Sequence, residues 1–196
     1  MKHTSAVAFA LLLTASLTAQ TQTVRGKVED VQGQNGKFVL DCTNIPLTSA
    51  TLNLNAMVGQ QFVLQVVNKG TAAIPSLEVS SAAAATKIFD IGNLDLGKAA
   101  RWQVNHTPGS AAVVFVNGLE RTSYIPLGAW GTWLLNLDAA FFNAGVVNNQ
   151  GQFEFTFTMP NIPALVGKTF VGQAVVVDPQ RQVLLSNPDC KEVRSK

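Results

Sequence analysis

The chain has 196 residues, of which 13% are charged, and its 14 basic and 12 acidic side chains give a net charge of +2. This balance argues against a nucleic-acid or anionic-membrane partner, because both bind clusters of Lys and Arg. A chain of this length can bury one good hydrophobic core without further staples.

The first nineteen residues have the pattern of a Sec-type signal peptide. Lys2 and His3 form a short polar start, Ala6 to Leu13 is apolar, and a small, polar segment ends at Ala19. The apolar part is too short to cross a bilayer; a buried N-terminal helix is the alternative. Because Gln20 stands where a lipoprotein would carry Cys, we expect a protein that is secreted or periplasmic, with no membrane insertion after signal removal.

The remaining residues, 20–196, are predicted to form short β-strands separated by turns. In the first half, apolar residues alternate with polar ones or form brief runs at 23–29, 37–40, 51–55, 61–68 and 76–81. The alanine run 82–85 is predicted to be a surface loop. In the second half, the candidate strands are 88–91, 101–104, 111–116, 130–137, 141–147, 152–159, 168–177 and 183–185.

The clearest strand has an apolar residue at every second position: Phe153, Phe155, Phe157 and Met159. Successive strand side chains point to opposite faces, so these four are expected to face a core together. Glu154, Thr156 and Thr158 are then expected to face solvent.

About ten short strands with closely spaced turn signals, and no segment with helical periodicity, predict an all-β protein. The expected architecture is an antiparallel β-sandwich, Ig-like or jelly-roll-like. Because the pattern at 61–70 resembles that at 111–118, one sandwich and two lobes dividing near residues 98–110 are both open.

Both cysteines of the chain, Cys42 and Cys190, lie outside the signal segment. In an exported protein such a pair most simply forms a disulfide, here one that closes nearly the whole domain. A catalytic or metal-binding thiol is disfavoured, because no histidine cluster accompanies either cysteine.

An ordered series of short motifs marks the second half of the chain. Its members are Pro126-Leu127-Gly128, Asn149-Gln150-Gly151-Gln152-Phe153, Met159-Pro160-Asn161-Ile162-Pro163-Ala164-Leu165-Val166-Gly167, Gln173-Ala174, Asp178-Pro179 and Leu185-Ser186-Asn187-Pro188. From about residue 100 to 193 the chain resembles the C-terminal β-sandwich module of secreted proteins from planctomycetes and related environmental bacteria. The resemblance implies an extracellular β-sandwich and a bacterial source; it implies no activity.

Four aromatic side chains are candidates for stacking on sugar rings: Trp102, Tyr124, Trp130 and Trp133. Trp130 and Trp133 are three residues apart, so on a regular strand they point to opposite sides and one of them packs in the core. Packing in the core and at its rim is favoured over a sugar-binding platform.

A weak candidate for a Ca²⁺ site is the loop that carries Asp90, Asn93 and Asp95. It lacks the complete calcium-loop pattern and the terminal bidentate Glu, so a hydrated turn is favoured. His106 is the one histidine after the signal segment, which excludes a site with two or three histidine ligands. We therefore expect no metal and no cofactor.

A glycosidase needs two carboxylates that face one cleft, and Glu78, Glu120 and Glu154 are the candidates. No nucleophile elbow, His-Glu-x-x-His pair or phosphate-binding glycine loop is present. We therefore expect a secreted, non-enzymatic structural or binding module at or outside the cell surface, whose partner is a cell-surface protein or a polysaccharide. A carbohydrate-binding module is the alternative, and a glycoside-active enzyme is a weaker one.

Overall fold

The computed structural model describes residues 20–32, 34, 36–71, 73–118 and 122–195. The predicted signal peptide and Glu120 lie outside the described residues. The described chain is all-β, which confirms the predicted class, with sixteen strands rather than about ten because several strands are only two or three residues long. No helix in this part of the chain is long and apolar enough to cross a membrane.

The strands of the first half are β1 (Gln22–Asp30), β2 (Phe38–Leu40), β3 (Pro46–Thr48), β4 (Gln61–Asn68) and β5 (Leu77–Ala84). Those of the second half are β6 (Phe89–Ile91), β7 (Leu94–Asp95), β8 (Ala99–Asn105), β9 (Ala111–Gly118), β10 (Thr122–Pro126), β11 (Thr132–Leu135), β12 (Ala140–Val146), β13 (Gln152–Thr158), β14 (Thr169–Val177), β15 (Val183–Leu185) and β16 (Asp189–Arg194). Three short 3₁₀-helices lie at Leu54–Met57, Gly128–Trp130 and Pro163–Leu165.

The first five strands close into a small barrel in the order β1, β2, β3, β5, β4, with β4 pairing back onto β1. Alternate residues of β1, among them Val24 and Val28, point into the barrel core. Gly26 shares this inner face, and a Cβ atom there would lie 2.5 Å from the side chain of Leu40. Glycine therefore lets β2 approach β1 closely. The predicted sandwich did not include this barrel.

The second half is a two-layer sandwich. One sheet has the order β12, β9, β14, β16, β7, with β15 paired to β14, and the other has the order β13, β8, β6. Trp102 of β8 lies at the centre of the core between them, 1% exposed and in contact with the rings of Phe89 and Phe142. The sandwich expected from the strand pattern is therefore present in this half.

The strand with the clearest alternation is β13, and the structure confirms its register. Met159 is buried, and the rings of Phe153, Phe155 and Phe157 pack against the sandwich core while remaining half-buried. The intervening polar residues, Glu154, Thr156 and Thr158, are exposed. The aromatic face is thus the inner one, although its rings are less deeply buried than expected because β13 lies at a sheet edge.

The ribbon of β10 and β11 joins the barrel to the sandwich. Tyr124 and Leu134 from this ribbon complete the barrel core, whereas Leu135 packs with Cys42 and Val171 in a small third cluster. The change from barrel to sandwich falls at residues 85–88, between β5 and β6, while residues 99–105 form β8 inside the sandwich.

Two further connections fasten the barrel and the ribbon to the sandwich, one at β16 and one at β14. Cys42 and Cys190 form the predicted disulfide, with their Cα atoms 5.5 Å apart. The fully buried amide of Gln173 in β14 accepts a hydrogen bond from the backbone of Leu134 at 2.9 Å and donates to the carbonyl oxygens of Thr132 and Ser186, each at 3.0 Å.

Candidate functional site

The four aromatic residues predicted as sugar-stacking candidates do not form a platform. Trp102 and Tyr124 are 1% and 6% exposed, because each fills a hydrophobic core, so neither can stack on a sugar ring and both pack in the core, as the favoured interpretation of the sequence had it. Trp133 is half-buried, with its ring 5.2 Å from that of Phe115. Trp130 is 53% exposed and is the one ring of the four that solvent reaches freely.

The carboxylates of the weak calcium candidate are already paired with lysines. Asp90 lies 2.5 Å from the ammonium group of Lys87, and Asp95 lies 3.6 Å from that of Lys98. Asn93 is exposed. These lysines balance the charge of both carboxylates without a metal ion, as in an ordinary surface turn.

The two described carboxylates among those considered for glycosidase chemistry, Glu78 and Glu154, lie in different halves of the molecule. Glu78 belongs to barrel strand β5 and pairs with Lys69 at 2.9 Å. Glu154 belongs to sandwich strand β13 and pairs with Arg101 at 2.5 Å. Each of the two therefore neutralises a neighbouring base.

His106 holds a tight loop. Its Nδ1 atom lies 2.9 Å from the hydroxyl of Ser110, which is fully buried and donates to the carbonyl oxygen of Thr107. Burial lowers the pKa of His106, and Arg25 acts in the same direction, against the opposing effect of Asp178. Because the Ser110 hydroxyl donates to a backbone carbonyl, this pair stabilises the loop rather than activating a nucleophile.

One group of potential metal ligands lies within the described residues, formed by Asp41, Cys42 and Cys190. The two sulfur atoms are bonded to each other, so neither is available as a thiolate ligand. The Asp41 carboxylate accepts a hydrogen bond from the backbone of Cys42 at 2.9 Å and pairs with Lys27 at 3.1 Å. Asp41 therefore stabilises the loop that carries Cys42, and the three residues do not form a metal site as they stand.

The structure forms a different site, a groove of about 560 Å³ beside the disulfide. We call it the amide groove; its lining residues are Asn44, Asn117, Gly118, Asn136, Asp138, Leu165, Gly167, Lys168, Thr169 and Phe170. Asn44 follows Cys42 by two residues, and Cys190 lies opposite Val171 in the ladder between β14 and β16. The disulfide thus fixes one wall of the groove against the other.

Hydrogen bonds within the amide groove position its polar groups. The Asn117 amide donates to the Asp138 carboxylate at 2.8 Å and accepts from the backbone of Gly118. The Asn136 side-chain oxygen accepts a hydrogen bond from the backbone N–H of Leu137 at 2.9 Å, and this bond fixes the orientation of the amide group. The groove therefore offers amide donors and acceptors together with one acid and one base.

A second cavity, of about 190 Å³, lies beside the amide groove inside the open edge of the sandwich. We call it the apolar pocket; it is lined by Leu94, Trp102, Val116, Phe142, Phe157, Met159, Pro160, Leu165 and Phe170. Leu165 and Phe170 line both cavities, so the two share a wall.

Sequence reasoning missed the amide groove because its asparagines lie at the end of β9 or in connections between strands. Asn117 precedes Gly118, and a turn explains such a pair without any ligand. The convergence of Asn44 with Asn117 and Asn136 depends on the disulfide and on the ribbon, and neither contact has a local sequence signal.

Comparisons of the chain with protein-family models, with curated proteins and with solved structures find no match.

Proposed function

We propose that this chain is an exported, non-enzymatic binding module whose amide groove takes a neutral, hydroxyl-rich ligand of the carbohydrate class. The observation that carries the proposal is the convergence of Asn44, Asn117 and Asn136 on one groove beside the disulfide. An amide group both donates and accepts hydrogen bonds without carrying charge. Sugar hydroxyls have the same double capacity, so the groove and this class of ligand are complementary.

The other walls of the amide groove support the same ligand class. Asp138 and Lys168 carry opposite charges, so these two side chains favour neither an anion nor a cation. Phe170 and Leu165 supply apolar surface of the kind that packs against the C–H face of a sugar ring.

Two features support export. The signal-like pattern of residues 1–19 would direct the chain out of the cytoplasm. The Cys42–Cys190 disulfide is typical of proteins that work in an oxidising compartment. Both features support an extracellular, cell-surface or periplasmic location.

The arrangement of acids supports binding rather than hydrolysis. Asp138 is the one carboxylate among the described residues that line the amide groove, whereas glycosidases use a facing pair. Most other described acids are taken up in ion pairs, as Glu78 and Glu154 are.

A second candidate function, attachment to a partner protein, is favoured by strand β12. It lies at the edge of its sheet and contains no charged residue, and its Phe141 and Val146 are each 63% exposed. Natural edge strands usually carry charges that prevent pairing with another chain, so an uncharged edge can accept a partner's strand.

The test is a glycan-binding assay on the mature, oxidised protein and on three single variants. Asn44→Ala and Asn136→Ala should each lower affinity about two- to tenfold, the loss expected for one hydrogen bond. Asn53→Ala is the matched control, because Asn53 is exposed and makes no side-chain cap hydrogen bond.

Absence of any glycan binding by the wild type, or equal binding by all four proteins, would contradict the carbohydrate proposal. In that case, binding to cell-surface material is measured for Val146→Lys. Loss of this binding in the variant would replace the carbohydrate proposal with the partner-protein function.

A further inference from the structure

The apolar pocket is a poor place for water. Its side chains present carbon surface, including the rings of Phe142, Phe157 and Phe170. The indole Nε1 of Trp102 has no accessible surface, so this donor does not reach a molecule that occupies the pocket. Cavities of this kind stay dry and take up apolar molecules.

The size of the pocket sets the size of its occupant. A dry cavity of about 150 Å³ accommodates benzene, and this one measures about 190 Å³. An apolar group of about six to eight carbon atoms would therefore fill it.

The position of the pocket indicates what that group is attached to. Leu165 and Phe170, both half-buried, form the wall between the apolar pocket and the amide groove. A single ligand that crosses this wall meets neutral hydrogen-bonding groups on one side and only hydrocarbon on the other. Such a ligand is an amphiphile with an uncharged polar head.

We propose that the ligand is a sugar carrying an aliphatic chain, with the sugar in the amide groove and the chain in the apolar pocket. This inference rests on the proposed function, because it uses the same groove for the head. It adds a specificity: a glycolipid or acylated glycan binds more tightly than the same sugar without its chain.

A series of alkyl glycosides tests the proposal. Methyl, butyl, hexyl, octyl and decyl glycosides of glucose, galactose and mannose are titrated calorimetrically below their micelle concentrations, with 1-hexanol as the chain alone. Affinity should rise about fourfold per methylene, the value for burying one CH₂ group. The rise should stop at about six to eight carbons, where the pocket is full.

A pair of variants on β9 tests whether the aliphatic chain of the ligand occupies the apolar pocket. Val116→Phe fills the pocket and should remove the dependence on chain length while leaving methyl glycoside binding unchanged. Val113→Phe is the matched control: Val113 is half-buried on the same strand, does not line the pocket, and should leave the series unchanged. The wild-type series stands on its own if the pocket variant does not fold.

The outcomes separate the two proposals. Equal affinity for methyl and hexyl glycosides overturns the aliphatic-chain inference and leaves the carbohydrate function standing. Binding of 1-hexanol as tight as that of the hexyl glycosides overturns the amphiphile, because the head then contributes nothing. Failure of every glycoside to bind overturns the proposed function and the inference together.

Discussion

At the scale of single residues, the buried acid Asp189 shows how the sandwich holds a charge. Its side chain is 7% exposed, accepts a hydrogen bond from the backbone of Ile91 at 2.6 Å and pairs with Lys87 at 3.0 Å. Burial raises the pKa of Asp189, and these two partners oppose that shift without cancelling it. Burial alone would lower the pKa of Lys87, but its hydrogen bond to Asp90 and the charge of Asp189 raise it. The hydrogen bond from Ile91 and the charge of Lys87 therefore both favour the ionised form of the buried acid.

Replacing Lys87 by Met should destabilise the protein by about 2–3 kcal/mol at pH 7. The cost is below that for removing one partner of a fully buried pair, because Lys87 is one-third exposed and Ile91 still donates to the acid. Lys98→Met is the control, since Lys98 is 58% exposed and its pair with Asp95 is long, and it should cost about 0.5 kcal/mol or less.

The loss of folding stability in Lys87→Met should depend on pH. Without Lys87 the pKa of Asp189 rises further above its ordinary value of 3.8. A carboxyl group with a raised folded-state pKa contributes stability that is present below 3.8 and is lost as the pH rises through the folded-state pKa. Urea unfolding at pH 3.5 should therefore show a smaller difference from wild type than at pH 7, and a pH-independent difference would contradict this account.

At the scale of elements, β13 is held by its aromatic face. The ring of Phe155 lies 6.0 Å from that of Trp102 and 5.7 Å from that of Phe142, so it closes the open side of the sandwich. Its partner in the ladder is Trp102 itself, which fixes the register of β13 on β8. The exposed polar face of β13 contributes little to the packing that holds the strand in place.

Phe155→Ala should cost about 2–3 kcal/mol, less than for a fully buried phenylalanine because the ring is half-buried. Thr156→Ala, the neighbouring change on the exposed face, should stay within about 0.5 kcal/mol of wild type. Both values are measured by chemical denaturation. A loss from Thr156→Ala as large as that from Phe155→Ala would contradict the assignment of the aromatic face to the core.

How much of each element could be predicted depended on whether its signal was local. The alternation in β13 has the period of a strand, so its register could be derived from sequence. The alanine run 82–85 has no such signal; its first three residues belong to β5 because Phe62, Val63 and Leu64 of β4 pair with them. The barrel was missed for a related reason, since its closure needs the pairing of β1 with β4, about forty residues away.

The motif residues near the end of the chain show a similar limit. Asn187 is 2% exposed; its side chain accepts hydrogen bonds from the backbones of Ile88 and Phe89 and donates to the carbonyl oxygens of Phe89 and Pro188. The sequence placed this residue in an ordered series of motifs but did not show its role, because Ile88 and Phe89 lie about a hundred positions earlier. The task is structural: it fastens β6 to the segment before β16.

At the scale of the whole molecule, the disulfide joins the barrel to the last strand across 148 residues of sequence. It also holds the wall of the amide groove that carries Asn44. In the chain-entropy account, a crosslink of this span stabilises the folded state by up to about 5 kcal/mol.

Reducing the Cys42–Cys190 bond should lower the Tm by about 10–20 °C and leave the β-structure intact at 25 °C. Both hydrophobic cores remain without it, which is why unfolding is not expected. Circular dichroism on the reduced protein and on the Cys42→Ala/Cys190→Ala variant measures the effect, and the two should agree. Loss of the fold in both would mean that the two halves depend on the crosslink.

The ribbon of β10 and β11 has a consequence for the order of folding. Because it places Tyr124 and Leu134 in the barrel core, the barrel strands emerge first from the ribosome but cannot complete their core until some fifty residues more have followed. Contacts between such distant positions make folding slow, on the scale of milliseconds to seconds. Completion of the barrel core is therefore coupled to synthesis and folding of the second half of the chain.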